Sequence, residues 1–323
     1  MILVNAWNKF WFSRADVLPQ SVTRIAVGMI WLAFLTVTAP NWERFYGSNG
    51  VLSIHDSRFP ALQTTNCFGL IDATDGWIAT SYWWWIGLVC ALCVTLGFKT
   101  RVATIGLFLF STSIIQRNAF VVNGEELVTR MLLFYGCFSH WGTQLSFDRW
   151  IYCRKNPNVE HVPPMVWNWR LMQINFIMIY VISVPYKIVD DMDWLTGDAL
   201  HWTVASDMWW TRGWMSELTL SFYGIPRKLL TWGTIFVEAA FPCLVCFRRT
   251  RLTITLAVIF LHLGIAYCIP GVTLFTLSMV AGAAMFISTE SYQAIARTCL
   301  RWIDKYLSWK PIRTAGELIG SGR

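Results

Sequence analysis

Residues Gln116–Phe134 read QRNAFVVNGEELVTRMLLF, a polar and charged knot set between two apolar runs, each long enough to enter a bilayer. Polar groups are expensive in hydrocarbon, so a knot at such a place is either the cap of a membrane helix or a site. Asn123-Gly124 reads as the N-cap region of a helix, with the glycine permitting a tight entry. Glu125 and Glu126 then lie on the positive N-terminal end of that helix. Glu126 falls four residues before Arg130, the spacing at which two opposite charges neutralise each other on one helix face. The Glu126–Arg130 pair is therefore expected to enter the membrane together, with Arg117, Asn118 and Asn123 completing a polar network before it. A capped helix with a structural ion pair and a functional site both fit this spacing.

Outward from the knot the chain is apolar almost throughout. Of 323 residues 55% are hydrophobic and only 14% charged, with a positive mean hydropathy, a composition that excludes an ordinary soluble domain and predicts an all-α integral membrane protein. Apolar windows of the length that crosses about 30 Å of hydrocarbon fall at 20–39, 77–98, 102–116, 125–145, 166–187, 229–247, 252–269 and 271–288. That predicts about eight transmembrane helices, the third the shortest, together with interfacial amphipathic helices. Residues 1–290 form one membrane domain on this reading, including the loops 41–76 and 190–228, and residues 291–323 a basic amphipathic tail on the cytoplasmic leaflet. The 20 tryptophans, clustered at Trp83-Trp84-Trp85 and Trp209-Trp210, suit the interfacial belt where indole sits half wet.

The net charge of +7 orients the protein rather than recruiting nucleic acid, because its Lys and Arg residues alternate from side to side along the chain. Lys9, Arg14, Lys99, Arg101, Arg149, Arg154, Lys155 and Arg248 fall on one side with the tail, and only Arg44, Arg58, Arg117, Arg212, Arg227 and Lys228 on the other. The positive-inside rule then makes both termini cytoplasmic. The knot, the 41–76 loop and the Trp-rich 190–228 loop all face outward, the last as a lid. The N-terminal stretch reads as an amphipathic interfacial helix stopped by Pro19, and the first window as a retained anchor. Arg24, about one turn inside that window, is expected to snorkel.

Other residues stand out by cost or chemistry. Arg170, Gln173 and Asn175 make the fifth span more polar than an anchor needs, and Lys187 ends it just after Pro185. A lysine against apolar surroundings can serve as an amine base; the alternative is snorkelling to the interface. Glu238 is the deepest acid of the chain, roughly 14 Å from the outer end of its span at 1.5 Å per residue. Unpaired, it would cost on the order of 3 kcal/mol, so it should be paired or neutral. His262 lies at similar depth, which makes a Glu238–His262 pair worth testing against a satisfied core histidine. The basic, Pro-bearing stretch 146–165 reads as a plain connector, and His55-Asp56 as solvated loop residues. The nine cysteines include Cys90-x-x-Cys93 and Cys243-x-x-Cys246, but inside apolar windows, without histidine at ligand spacing, these read as small-residue packing and no metal is expected. A Cys67–Cys268 disulfide is conceivable on the outer side.

Several stretches, FYGSNGVLS (45–53), RNAFVVNGEELVTRMLLFY (117–135), PYKIVDDMDWLTGDAL (185–200) and the pair Glu238 and Pro242 followed by FLHLGIAYCIPGVTLFTLSMV (260–280), resemble in order the HTTM superfamily. This group includes the vitamin K-dependent gamma-glutamyl carboxylases and bacterial homologues of the sporulation-delaying protein B type. The resemblance implies a bacterial inner-membrane protein whose cofactor is a reduced menaquinone or vitamin K-type quinol. Quinol oxidation in the carboxylases is coupled to proton removal from a peptide glutamate and addition of carbon dioxide. It also implies Lys187, ahead of Trp194 and Gly197, as catalytic base, with His262 and Glu125 as further catalytic groups; Glu125 stands where the eukaryotic enzymes have a histidine. The carboxylases' large extracytoplasmic C-terminal region has no counterpart here, so the membrane core is expected without the peptide-docking half. Two functional readings follow: a quinol-dependent carboxylase-like enzyme acting on a secreted peptide, or a non-enzymatic factor for peptide or toxin maturation or assembly of a membrane complex. The bilayer is a partner in both, with a secreted or membrane peptide or a partner membrane protein.

Overall fold

The computed structural model describes residues 2–52, 69–157, 163–206, 211–215 and 225–307. Among these every regular element is helical, and extended pairing is confined to one isolated bridge between Arg14 and Met165. His55, Asp56, Arg58, Cys67, Trp209 and Trp210 lie outside the described residues, so the proposed disulfide does too.

Each of the eight apolar windows holds one helix. In chain order the elements are α1 (Ile2–Phe12), α2 (Leu18–Thr38), α3 (Trp42–Tyr46), α4 (Leu70–Ala73), α5 (Thr80–Leu96), α6 (Thr100–Arg117), α7 (Gly124–Phe138), α8 (Phe147–Lys155) and α9 (Trp167–Asp190), followed by α10 (Met192–Thr196), α11 (Ala199–Ala205), α12 (Ile225–Leu244), α13 (Arg251–Cys268), α14 (Thr273–Ala284) and α15 (Thr289–Leu307). Among the described residues, three helical stretches are long and apolar enough to cross a membrane: Leu18–Tyr46, Trp167–Asp190 and Arg251–Cys268; Thr80–Leu96 is a shorter apolar helix. The other windows fall short for visible reasons. α6 ends in Gln116-Arg117, α7 opens on two glutamates, and the twelve residues of α14 extend only about 18 Å at 1.5 Å per residue.

The surface is nonetheless that of a membrane protein. On α5 Tyr82, Trp85, Ile86, Val89, Leu92 and Leu96 are exposed, steps of three and four residues that line one apolar stripe along the helix. Phe260, Leu263 and Tyr267 do the same on α13. Stripes of this length in water would drive association; against lipid they cost nothing.

Residues 1–287 form one compact unit and Ser288–Arg323 a second. In the first, α14 is the shared element: it packs on α2, α7, α13 and α9. It comes closest at Gly282, where a Cβ would lie 2.0 Å from Cε2 of Phe176 on α9. The tight α5–α6 hairpin is made by Gly97 at φ 70°, in the left-handed region that glycine enters freely. Cys90 packs where a Cβ on Gly106 would come within 2.9 Å of its sulfur. The eight cysteines among the described residues are free thiols, and no group of three or more potential metal ligands converges there. In the second unit α15 is the described element.

Several expectations are corrected. Arg24 does not snorkel: it is fully buried, donating from Nη1 to Val94 O at 2.9 Å and from Nη2 to Leu145 O at 2.5 Å, because backbone carbonyls near the end of α5 and in the chain before α8 lie within its reach. Pro19 opens α2 rather than closing α1, in the first helical turn where its missing N–H is no loss. The chain between α1 and α2 is instead fixed by pairing with residues 163–166, through Ala15 N to Pro164 O and Val166 N to Ser13 O. The first loop begins as helix, since the path of α2 continues through a 3₁₀ turn and α3 to Tyr46. The 146–165 connector contains α8, whose N-cap is Ser146, its hydroxyl accepting from Arg149 N at 3.0 Å. The polar residues of α9 find internal partners. Arg170 donates to Gln173 Oε1 at 3.0 Å, Gln173 to Met285 O at 3.3 Å, and Asn175 to the Tyr135 hydroxyl at 2.6 Å.

Candidate functional site

Four residues of α9, Phe176, Tyr180, Val184 and Lys187, follow at steps of four, four and three, so they share one helix face. On α12 the same logic aligns Glu238 with Phe241 one turn later. The two faces meet: Phe241 packs tilted against Tyr180 at 5.0 Å between ring centroids. Above this aromatic layer Lys187 Nζ lies 2.6 Å from Glu238 Oε2. The Glu238 side chain is 7% exposed and that of Lys187 22%, so the carboxylate is sealed while the amine remains reachable.

The amine is covered by Trp194, whose ring centroid is 4.5 Å from Nζ. The sequence DDMDWLTGD builds this cover locally. Asp191 is the N-cap of α10, its side chain accepting from Asp193 N at 3.0 Å, and Gly197 at φ 85° closes the helix. One helical turn held between two caps turns the chain back over the end of α9. Trp232 Nε1 donates to Leu195 O at 3.0 Å, and Asp198 pairs with Arg227, holding α10 and α11 on α12.

His262 on α13 is buried and does not meet Glu238. Its Nε2 shares a hydrogen bond of 3.0 Å with the Tyr180 hydroxyl, while its Nδ1 has no hydrogen-bond partner among the described residues. Tyr180 and Lys187 stand two turns apart on one face of α9, and their partners come from α13 and α12, so the two pairs form one polar layer. The partner of His262 is a residue that sequence reasoning missed. The usable signal was its place seven residues before Lys187, on the same helix face.

The knot at 116–134 folds differently from its expectation. Among the described residues no ion pair joins Glu126 to Arg130. Glu126 instead turns back, accepting from Asn123 N at 2.8 Å as one half of a capping box, because four free N–H groups at the helix start are the nearer demand. Glu125 is buried beside it. Arg117 is wholly buried and spent on backbone: Nε to Tyr46 O at 3.1 Å, Nη2 to Gly47 O at 2.5 Å and to Leu52 O at 2.7 Å. Its Nε is also 3.5 Å from Asp72 Oδ1, a partner not foreseen. Asn118 donates to Phe45 O at 2.8 Å and accepts from Phe120 N. These two residues therefore fasten the turn after α3.

No contact joins Glu125 to Lys187 among the described residues. What links the knot to the polar layer is Phe275 of α14. Its ring is 6.4 Å from that of His262 and lies where a Cβ on Gly124 would come within 2.3 Å.

The HTTM domain model matches residues 20–290, from the start of α2 to just beyond α14. The chain belongs to the HTTM domain family. Comparison with curated proteins and with solved structures gave no match. The HTTM match takes in both the Lys187–Glu238 pair and the Arg117–Glu126 knot, and it leaves out α1 and most of α15.

Proposed function

We propose that this HTTM protein is a carboxylase-like membrane enzyme that takes up and moves protons at Lys187 on the extracytoplasmic side, using a reduced naphthoquinone-type quinol and acting on a secreted or membrane peptide. The helices of all eight apolar windows cross the membrane on this reading, the short ones as parts of the bundle, with both termini cytoplasmic in a bacterial inner membrane. The observation that carries it is the reachable Lys187 amine between the sealed Glu238 carboxylate and the face of Trp194.

The residues present fit a lipid-borne quinol. Trp194 and Phe275 supply flat apolar walls, and the Nδ1 of buried His262, which has no partner among the described residues, offers a polar contact for a ring oxygen. Oxidation of the quinol, when bound, supplies the driving force for generating a strong base. The chain's own groups position and exchange protons. Glu238 holds Nζ in place and takes its proton in a low-dielectric layer, Tyr180 fixes the His262 ring, and Trp194 excludes water above the amine. Glu125 contributes its charge from across Phe275.

A second reading, a non-enzymatic factor for peptide maturation or complex assembly, draws support from the knot, where Arg117 bonds to the carbonyls of the turn after α3 and Glu126 caps the start of α7. Reconstituted protein supplied with reduced menaquinone and with molecular oxygen as the acceptor of the quinol's two electrons separates the two. Quinol oxidation that Lys187→Ala abolishes at normal protein level supports the enzyme. Absence of oxidation by the wild type, or full activity of the variant, sinks it.

A further inference from the structure

A groove lies at the opposite end of the chain's helical hairpin, between the end of α5 and the start of α8. It encloses about 480 Å³ and is lined by Leu96, Leu145, Ser146, Phe147 and Trp150. We propose that it binds a phospholipid with an anionic headgroup, independently of the chemistry at Lys187.

Charge argues first. Five cations, Lys99, Arg101, Arg149, Arg154 and Lys155, surround this end of the hairpin, and among the described residues none forms an ion pair. The two acids nearby are already engaged. Asp148 accepts from Lys99 N and Thr100 N at 2.8 Å and from Thr100 Oγ1 at 2.7 Å, capping α6. Asp16 accepts from Leu18 N and Gln144 Nε2. Behind the wall, Arg24 donates to the carbonyl of Leu145, adding buried positive charge to the same place.

The apolar component argues for a lipid rather than a free anion. On α8, a helix of nine residues, Phe147, Trp150 and Tyr152 are exposed beside arginines. The Arg154 guanidinium lies 4.1 Å above the Trp150 ring, and that of Arg149 5.8 Å from Tyr152. Aromatic rings and arginines alternating on a short surface helix belong at the headgroup level of a bilayer, where the guanidinium meets phosphate and the ring meets the glycerol and upper acyl region. An inorganic phosphate would have no use for Leu96, Phe147 and Trp150.

Native mass spectrometry of the full-length protein, mixed with phosphatidylglycerol or phosphatidylcholine, tests this. The wild type should retain phosphatidylglycerol in preference, and raising the ammonium acetate concentration should strip it while sparing phosphatidylcholine. Each cation near the surface contributes about fivefold in affinity, so Arg149→Gln with Arg154→Gln should weaken retention about 25-fold, whereas Arg154→Lys keeps it. Trp150→Ala should lose phosphatidylglycerol without gaining selectivity for the neutral lipid. Equal retention of both lipids by the wild type, salt-independent retention, or undiminished phosphatidylglycerol on the double variant overturns the proposal. The wild-type measurements decide it even if a variant folds poorly.

Discussion

Lys187 and Glu238 face each other from α9 and α12 with Nζ and Oε2 2.6 Å apart, and the two side chains differ threefold in exposure. Removing one partner strands the other charge in a low-dielectric layer, which costs about 3 kcal/mol in comparable buried pairs. Lys187→Ala should therefore lower the unfolding temperature in detergent more than Glu238→Ala, because it strands the more deeply buried carboxylate, whereas the lysine left by Glu238→Ala is partly exposed and keeps the Trp194 ring beside its ammonium. The double replacement by methionine should recover most of the loss. A double variant as unstable as the worse single one would show that the pair is not what the two residues contribute.

Tyr180→Phe removes the hydroxyl that meets His262 Nε2 and keeps the ring that packs on Phe241. Both histidine nitrogens would then be buried without a partner, at a cost of about 1–3 kcal/mol. Thermal unfolding checks the size. A second check is Tyr180→Phe in a His262→Phe background, where the hydroxyl has no partner left to lose and the change should be close to neutral.

Much of this layer was legible from cost alone. Glu238 and Lys187 stood out because each is expensive where hydropathy places it, and the demand that Glu238 be paired names a short list of partners. Of the two alternatives for His262, the buried histidine with an internal partner is the one found and the Glu238 pair is not, because depth along a helix says nothing about rotation, and the face of α13 carrying His262 turns toward Tyr180. Arg24 was misread, and the partners of Arg117 were not foreseen, for another reason. The carbonyls that hold them are distant in sequence, Val94 and Leu145 for one and Tyr46 to Leu52 for the other, and backbone acceptors leave no mark on residue type. Helix α8 was passed over because its nine residues are too polar and short to register as a span, although Ser146-Phe-Asp is a serviceable N-cap sequence.

Close packing on α14 gives a contrast among glycines. Alanine at Gly282 would drive its Cβ into Phe176, and at Gly124 into Phe275, with 2.0 and 2.3 Å separations that demand a shift of packed rings. Each should cost about 1–3 kcal/mol by overpacking. Gly264 of α13 has open space at its Cβ position, so Gly264→Ala should be neutral or stabilise by up to about 1 kcal/mol through helix propensity. Unfolding temperatures of the three variants should rank accordingly, and equal losses would refute the packing account.

Arg117→Lys retains the charge but not the fork of donors that reaches Tyr46, Gly47 and Leu52 at once. The turn after α3 should loosen while the helices persist. Hydrogen exchange at residues 47–52 should accelerate at least tenfold in Arg117→Lys with the helical circular dichroism unchanged, and exchange as slow as in the wild type would show that the carbonyl contacts do not hold the turn.

Glu126 and Arg130 decide between a cap and an ion pair at the knot. The geometry gives Glu126 to the Asn123 N–H, so Glu126→Ala should cost about 1 kcal/mol, the usual loss of a helix cap. Arg130→Ala should act separately, because no bond joins the two side chains. A double-mutant cycle on unfolding free energy should return a coupling below about 0.3 kcal/mol, whereas residues in direct contact couple by about 0.5–3 kcal/mol. Asn123→Ala adds the orthogonal check. It acts on the same helix start, so it should be strongly non-additive with Glu126→Ala and additive with Arg130→Ala. The reverse pattern would return Glu126 to a charge partnership with Arg130.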